Sequence, residues 1–272
     1  VVTVQPPDPD SLRYARYWEP VLAGPAERML ARVEAAPSRF LDVGAGTGSL
    51  LLAAATRWPD ARIVALDGSA GMLSVARLRV AKAWPKQAAR FEWLIAEASA
   101  MPLADRSIDV ASVAFVLELV DDRRALLQEI ARVLRPGGVL GLVTTMAHEL
   151  VSGADQAFAA LVDEWGMAPE TAGFRTSRGS EYQSPDEAEA ELTAAGFTSI
   201  DVRSDQLQHA WTAAQYLHFK EQYDERDVFE SLGDAARTRF RRALRQRWAA
   251  LPAAAFELRG PLLQALARRP ER

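Results

Sequence analysis

The 272-residue chain has no cysteine, which excludes disulfides, thiolate metal sites and a cysteine nucleophile. The same lack fits a reducing compartment. Histidine occurs only at His148, His209 and His218, so imidazole chemistry has few candidates. No stretch approaches ~18 uninterrupted apolar residues, and none is therefore expected to cross a membrane. The opening "VVTVQPPDPDSL" has neither the basic region nor the apolar core of a secretory signal, so a cytoplasmic protein is expected. Positive charge is also short: 32 Lys and Arg against 36 Asp and Glu leave a net charge of −4. That balance argues against nucleic acid as the main partner. The Asn-Pro-Pro-Tyr/Phe stretch of amino-methylating DNA enzymes is missing as well.

Nearly half the residues, 49%, are apolar, and a quarter are charged. A chain of this length buries roughly 70 to 75% of its unfolded surface and needs no staple to fold. From residue 38 onward, strand-length apolar runs alternate with helical patterns. "RFLDV", "ARIVALD", "RFEWLIA", "SIDVASVAFVLEL" and "VLGLVTT" read as strands. Between them lie "SLLLAAATRW", "SAGMLSVARLRVAKAW" with Ser69 as N-cap, and "DRRALLQEIARVL", expected to stop at Pro136-Gly137-Gly138. "SPDEAEAELTAAGF" carries a capping-box pattern from Ser184 to Glu187, and "TSIDVRS" follows as its strand. Strict alternation means right-handed βαβ units, hence an α/β fold with a doubly wound, mostly parallel sheet of seven strands.

Four segments are expected: an N-terminal helical lid at 1–37, broken near Gly24-Pro25; an α/β core at 38–205; a helical cap at 206–255; and a final core strand at 256–272.

In such a sheet the ligand lies beyond the carboxyl ends of the strands, where the first strand turns into its helix. "FLDVGAGTGSL" places Gly44, Ala45, Gly46 and Gly48 on that turn, where side chains would block a close ligand. The spacing G-x-G-x-G is neither the dinucleotide G-x-G-x-x-G nor a triphosphate loop, and no lysine stands nearby. Asp67, followed by Gly68, closes the second strand 19 residues past Gly48. An acidic side chain there can accept from ribose hydroxyls. Glu97, at the end of the third strand, can reach an adenine amino group, and Asp42 calls for a cationic partner such as an amino group.

"FLDVGAGTGSL", "ALDGSAGML", "AEASAMPLADRSIDVASVAFVLELV" and "ARVLRPGGVL", in this order, resemble the motifs of class I S-adenosylmethionine-dependent methyltransferases, particularly the small-molecule group that includes quinone-ring methyltransferases. The resemblance covers residues 38 to 148. It implies S-adenosyl-L-methionine as cofactor and S-adenosyl-L-homocysteine as product. It also implies that Asp42 and the glycine loop hold the methionine moiety, Asp67 the ribose, Met72 and the backbone near Ala98 the adenine, and Glu97 its amine, with Ala114 and Phe115 as floor. Where many relatives carry a histidine after the fourth strand, this chain has Leu119 beside Glu118.

Methyl transfer is an in-line displacement that depends mainly on holding the reacting atoms in position. A base is needed only for an acceptor that must lose a proton, and the candidates are His148 and Glu118. Tyr14, Tyr17 and Trp18 before the sheet, and Trp211, Tyr216, Phe219 and Tyr223 in the cap, could enclose sulfonium and acceptor, or simply pack. A small-molecule acceptor and a monomer or homodimer are expected, with no metal. An RNA or protein methyltransferase, a non-catalytic S-adenosylmethionine-binding protein and an NAD-linked oxidoreductase remain open.

Overall fold

The computed structural model describes residues 6–147, 152–167 and 181–271. The chain divides into two compact units: residues 1–147, 176–206 and 261–272 form the first, and residues 148–175 and 207–260 the second.

The first unit holds the sheet. Its strands are β1 Arg39–Val43, β2 Arg62–Asp67, β3 Phe91–Ile95, β4 Ile108–Ala114, β5 Leu134–Thr145, β6 Thr198–Ala210 and β7 Glu257–Arg268, in the order β3-β2-β1-β4-β5-β7-β6. β3, β2, β1, β4 and β5 run parallel, and β7 is antiparallel to β5. The expected α/β class and seven strands are thus present. β1 is covered on both faces, and Phe40, Leu41 and Val43 are fully buried. An unbroken apolar run is what a central parallel strand requires.

The helices of this unit are α1 Pro9–Tyr17, α2 Glu19–Ala31, α3 Ser49–Arg57, α4 Ala70–Ala83, α5 Arg123–Val133 and α7 Pro185–Ala194. Ser69 caps α4 by accepting from the Met72 N–H at 3.2 Å. Ser184 caps α7 by accepting from the Glu187 N–H at 3.1 Å. The Glu187 carboxylate, however, accepts from the Gln183 N–H and from Arg123, so the reciprocal half of the box is replaced by a tie to α5.

Two boundaries differ from the sequence reading. α2 runs unbroken through Gly24-Pro25, and the break lies at Trp18. Pro20 has no N–H for the Arg16 carbonyl and so ends α1, whereas Gly24 offers no Cβ to the Pro25 ring and the buried face of Val21, Leu22, Met29 and Leu30 carries α2 past it. α5 stops at Val133, before Pro136-Gly137-Gly138, because Leu134 already turns extended. The proline-glycine triplet instead forms an irregularity within β5, where the pairing passes from Ile108↔Leu134 to Val110↔Val139.

The second unit contains α6 Gly153–Glu164, α8 Ala213–Phe219, a π turn at Lys220–Asp224, α9 Arg226–Glu230 and α10 Asp234–Trp248. Its core is aromatic, with Phe240 edge-on to both Phe158 and Phe229. Lys220 is buried among acids, 2.6 Å from Asp155 and also paired with Asp224.

Candidate active site

The turn from β1 into α3 is glycine-dependent. Gly44, Gly46 and Gly48 all have positive φ, at 70°, 53° and 91°. A Cβ on Gly44 would stand 2.2 Å from a Val116 methyl, and one on Gly48 2.9 Å from the Ala76 Cβ. Only glycine meets both demands.

Two cavities meet at Gly44. The first, of about 40 Å³, lies between Asp42, Ala45, Gly46, Thr47, Ala114 and Phe115 on the sheet side and Tyr14, Glu19, Leu22 and Ala26 from the N-terminal helices. The second, about 490 Å³ and partly open, is lined by Asp67, Gly68, Glu97, Ala98, Val116 and Leu119, among others. Their common wall is the turn after β4, where Phe115 is held at φ 56° with its N–H donating to the Val143 carbonyl at 2.9 Å. A bulky residue in this conformation is strained, and such strain concentrates at ligand sites.

The electrostatics are acidic. Asp42 is buried, and Ser112 Oγ donates to its Oδ1 at 2.6 Å. Burial pushes its carboxyl up to about 7, opposed by the serine and aided by the negative Asp67. Asp67 accepts the Gly46 N–H at Oδ2 and the Ser69 N–H at Oδ1, both at 2.8 Å. Its carboxyl is also raised by burial, against those two donors. Neither carboxylate has a cation in contact among the described residues, so a cationic ligand would be favoured and a pyrophosphate repelled. The buried Thr47 hydroxyl, on the first cavity, has no hydrogen-bond partner among the described residues, which is a vacancy a ligand's polar group fills well. Two carboxylates with no paired cation among the described residues, an unmet hydroxyl and a side-chain-free turn together fit an aminoacyl-adenosine cofactor.

The N-terminal helices are tied to this turn. Glu19, 5% exposed, accepts two hydrogen bonds from Arg79 of α4, at 2.5 and 2.6 Å, and the same nitrogen donates to the Thr47 carbonyl at 2.9 Å. Among the residues lining the first cavity, Tyr14 is expected from the sequence as one of the aromatics before the sheet, whereas Glu19, Leu22 and Thr47 are not. The helices carry no motif of their own, and Thr47 stands in the loop as an ordinary small residue.

Of the residues named from sequence, Asp42, Gly44, Ala45, Gly46, Ala114 and Phe115 line the first cavity, and Asp67, Gly68, Glu97 and Ala98 the second. Gly48, Met72 and Tyr17 line neither. Gly48 begins α3 against Ala76, Met72 supplies a cap N–H, and the Tyr17 ring lies under the Arg16 guanidinium at 5.3 Å. Trp18 is buried at the junction of α1 and α2. Glu118 also lines neither cavity: it is fully buried in the turn after β4, where Thr144 Oγ1 donates to its Oε2 at 2.8 Å. Burial pushes its carboxyl up to about 7. His148 lies outside the described residues. Trp211, Tyr216 and Phe219 belong to the second unit, where Trp211 stacks on Phe219 at 5.2 Å and the Tyr216 hydroxyl donates to Asp155 at 2.5 Å.

Residues 41–142 match a family described as "Methyltransferase domain". A ubiquinone/menaquinone biosynthesis C-methyltransferase of Dinoroseobacter shibae is 42% identical over 106 residues, 39% of this chain and 41% of that protein. A malonyl-[acyl-carrier protein] O-methyltransferase of Xylella fastidiosa is 36% identical over 123 residues, 45% of this chain and 40% of that protein. The chain thus spans less than half the length of these curated relatives. Among solved structures, a Haemonchus contortus phosphoethanolamine N-methyltransferase, in complex with phosphomonomethylethanolamine and S-adenosylhomocysteine, superposes with a TM-score of 0.55 at 19% identity. That superposition covers 96% of this chain and 57% of the other, and supports the fold. No described helix is long and apolar enough to cross a membrane. The family match, the strand order and the glycine turn agree: residues 41–142 of this chain match a methyltransferase domain, in an α/β sheet whose first crossover is a glycine turn.

Proposed function

We propose that the protein transfers a methyl group from S-adenosylmethionine to a small organic acceptor. The observation that carries this reading is the pair of carboxylates, buried Asp42 and half-buried Asp67, flanking a glycine turn between two cavities. S-adenosylmethionine, when bound, supplies an electrophilic methyl on a sulfonium. Asp42 would meet the amino group of its methionine part, Asp67 the ribose hydroxyls, and Glu97 the adenine amine. Phe115 and Ala114 would floor the first cavity. Tyr14 and Leu22, from the segment proposed as a lid, would keep water from the reacting carbon.

Positioning is the main catalytic device proposed, since displacement at a sulfonium needs alignment more than acid or base. Glu118 keeps a proton near neutral pH but sits off both cavities, so its proposed part is to hold the turn that bears Phe115 and Val116. His148, three residues beyond β5 in sequence, is the group proposed to take a proton from an acceptor that has one to lose. Segment 206–255 is proposed to supply acceptor contacts. Trp211 in that segment is only partly buried and packs on Phe219 and Tyr216. The named relatives methylate a quinone precursor and a carrier-bound malonyl group, which supports a small acceptor.

Calorimetry with S-adenosylmethionine, S-adenosylhomocysteine and NAD tests the cofactor, and S-adenosylhomocysteine release across a panel of phenols, acids and amines tests the reaction. Saturation by NAD with no heat from either adenosyl compound would sink the reading.

A further inference from the structure

A third cavity, of about 330 Å³, belongs to a different part of the first unit. Val139 of β5 and Leu266 and Ala267 of β7 line it. Val139 is level with Val110 of β4, which is level with Phe40 of β1. The glycine turn begins four residues beyond Phe40, roughly 13 Å along the strand. The cavity therefore lies toward the opposite end of the sheet from the cofactor cleft.

Three guanidinium groups line it, those of Arg32, Arg203 and Arg268, against the carboxylates of Asp201 and Glu34. Asp201 is shared: Arg32 donates to its Oδ2 at 3.0 Å, and Arg203 grips both oxygens at 3.1 and 2.7 Å. One carboxylate thus serves two arginines, and the positive charge exceeds what lines the cavity. The Arg32 Nε–H is buried and has no acceptor among the described residues. An incoming anion would compete with Asp201 for Arg203, 63% of whose side chain is exposed. Ser199, also on the wall, holds φ at 49°, a conformation ordinary residues avoid. These features have no part in cofactor binding.

We infer that this cavity is a second binding site, for a small molecule bearing two or more acidic oxygens, such as a phosphate ester or a di- or tricarboxylate. Guanidinium forks match paired anionic oxygens, and the apolar floor of Val139 and Leu266 takes a short carbon frame. Occupancy would be read at the cofactor cleft through α2. The N-terminal part of this helix, Glu19, Leu22 and Ala26, lines the first cavity, while Arg32, at its C-terminal end, lines this one, roughly 20 Å away along one rigid rod.

The test is calorimetry on the whole chain at low ionic strength, with pyrophosphate and with citrate as separate probes. One or both should bind at one per chain, and the probe that binds identifies the phosphate or carboxylate source. Arg203→Gln and Arg268→Gln, each checked for native circular dichroism, should weaken that binding at least tenfold while leaving S-adenosylhomocysteine affinity without anion unchanged. In the unaltered protein, saturating anion should shift S-adenosylhomocysteine affinity several-fold. The site is refuted if neither probe binds, or if binding survives both substitutions undiminished. Arginine-dependent binding without any shift in S-adenosylhomocysteine affinity would keep the site and remove the link through α2.

Discussion

Asp42 and Glu118 are both carboxyls held out of water with hydroxyl donors, and burial raises both to about 7. An unfolded carboxyl ionises near 4, so across the window from about 4 to 7 the native state binds more protons than the unfolded one. Stability of the unliganded protein should therefore fall as pH rises through that window and level off above it. For Asp42, ligand binding runs the other way, because an ammonium pairs only with the ionised carboxylate. S-adenosylhomocysteine affinity should rise up to about tenfold per pH unit below 7 and flatten above. Asp42→Asn should abolish this slope and weaken binding at least tenfold at pH 8, measured by calorimetry at pH 6, 7 and 8. For Glu118, Glu118→Gln keeps the shape without the charge. It should raise the melting temperature most at pH 8, less at pH 5, and not at all below about pH 4, where the group holds its proton in both the native and the unfolded chain. A melting temperature at pH 8 that does not move would show that Glu118 is ionised at no cost.

At the scale of elements, the tie between α1 and α4 decides whether the first cavity has a roof. Asp8 caps α1 by accepting from the Ser11 N–H at 2.8 Å, and a Cβ on Gly71 of α4 would stand 1.5 Å from an Asp8 carboxylate oxygen. Gly71→Ala should therefore push α1 off α4, with faster proteolysis at residues 9–17 and weaker S-adenosylhomocysteine binding, although Gly71 lines neither cavity. Asp8→Ala in the same chain should restore much of the docking at the expense of the cap, about 1 kcal/mol. Equal proteolysis of wild type and Gly71→Ala would overturn this. Helix and strand identity was legible because periodicity is local: "RFLDV" and "SLLLAAATR" read correctly from their own residues. Boundaries were less so. The break at Trp18 and the bulge at Pro136-Gly137-Gly138 depend on which face is buried and on what β4 can pair with.

For the whole molecule, the division into two units predicts separable stabilities. Lys220, with 6% of its side chain exposed, neutralises Asp155 and Asp224 inside the second unit. Lys220→Met would leave those acids buried without a cation, a loss of about 3 to 5 kcal/mol. A calorimetric scan should show the second unit melting earlier while S-adenosylhomocysteine binding survives, because every residue lining the two cofactor cavities belongs to the first unit. Simultaneous loss of both would show that the units do not unfold separately. By itself, the sequence determined the α/β alternation, the glycine turn, and Asp42, Asp67 and Glu97 as acids at or just past the strand ends, where the cavities lie, since each rests on spacing within a few residues of one strand end. The tertiary structure alone decided that Tyr14, Glu19 and Thr47 share a cavity with Asp42, that Glu118 faces inward, and that Arg32, Arg203 and Arg268 converge. Those residues lie tens to hundreds of positions apart, and burial and charge balance arise only where folding brings them together.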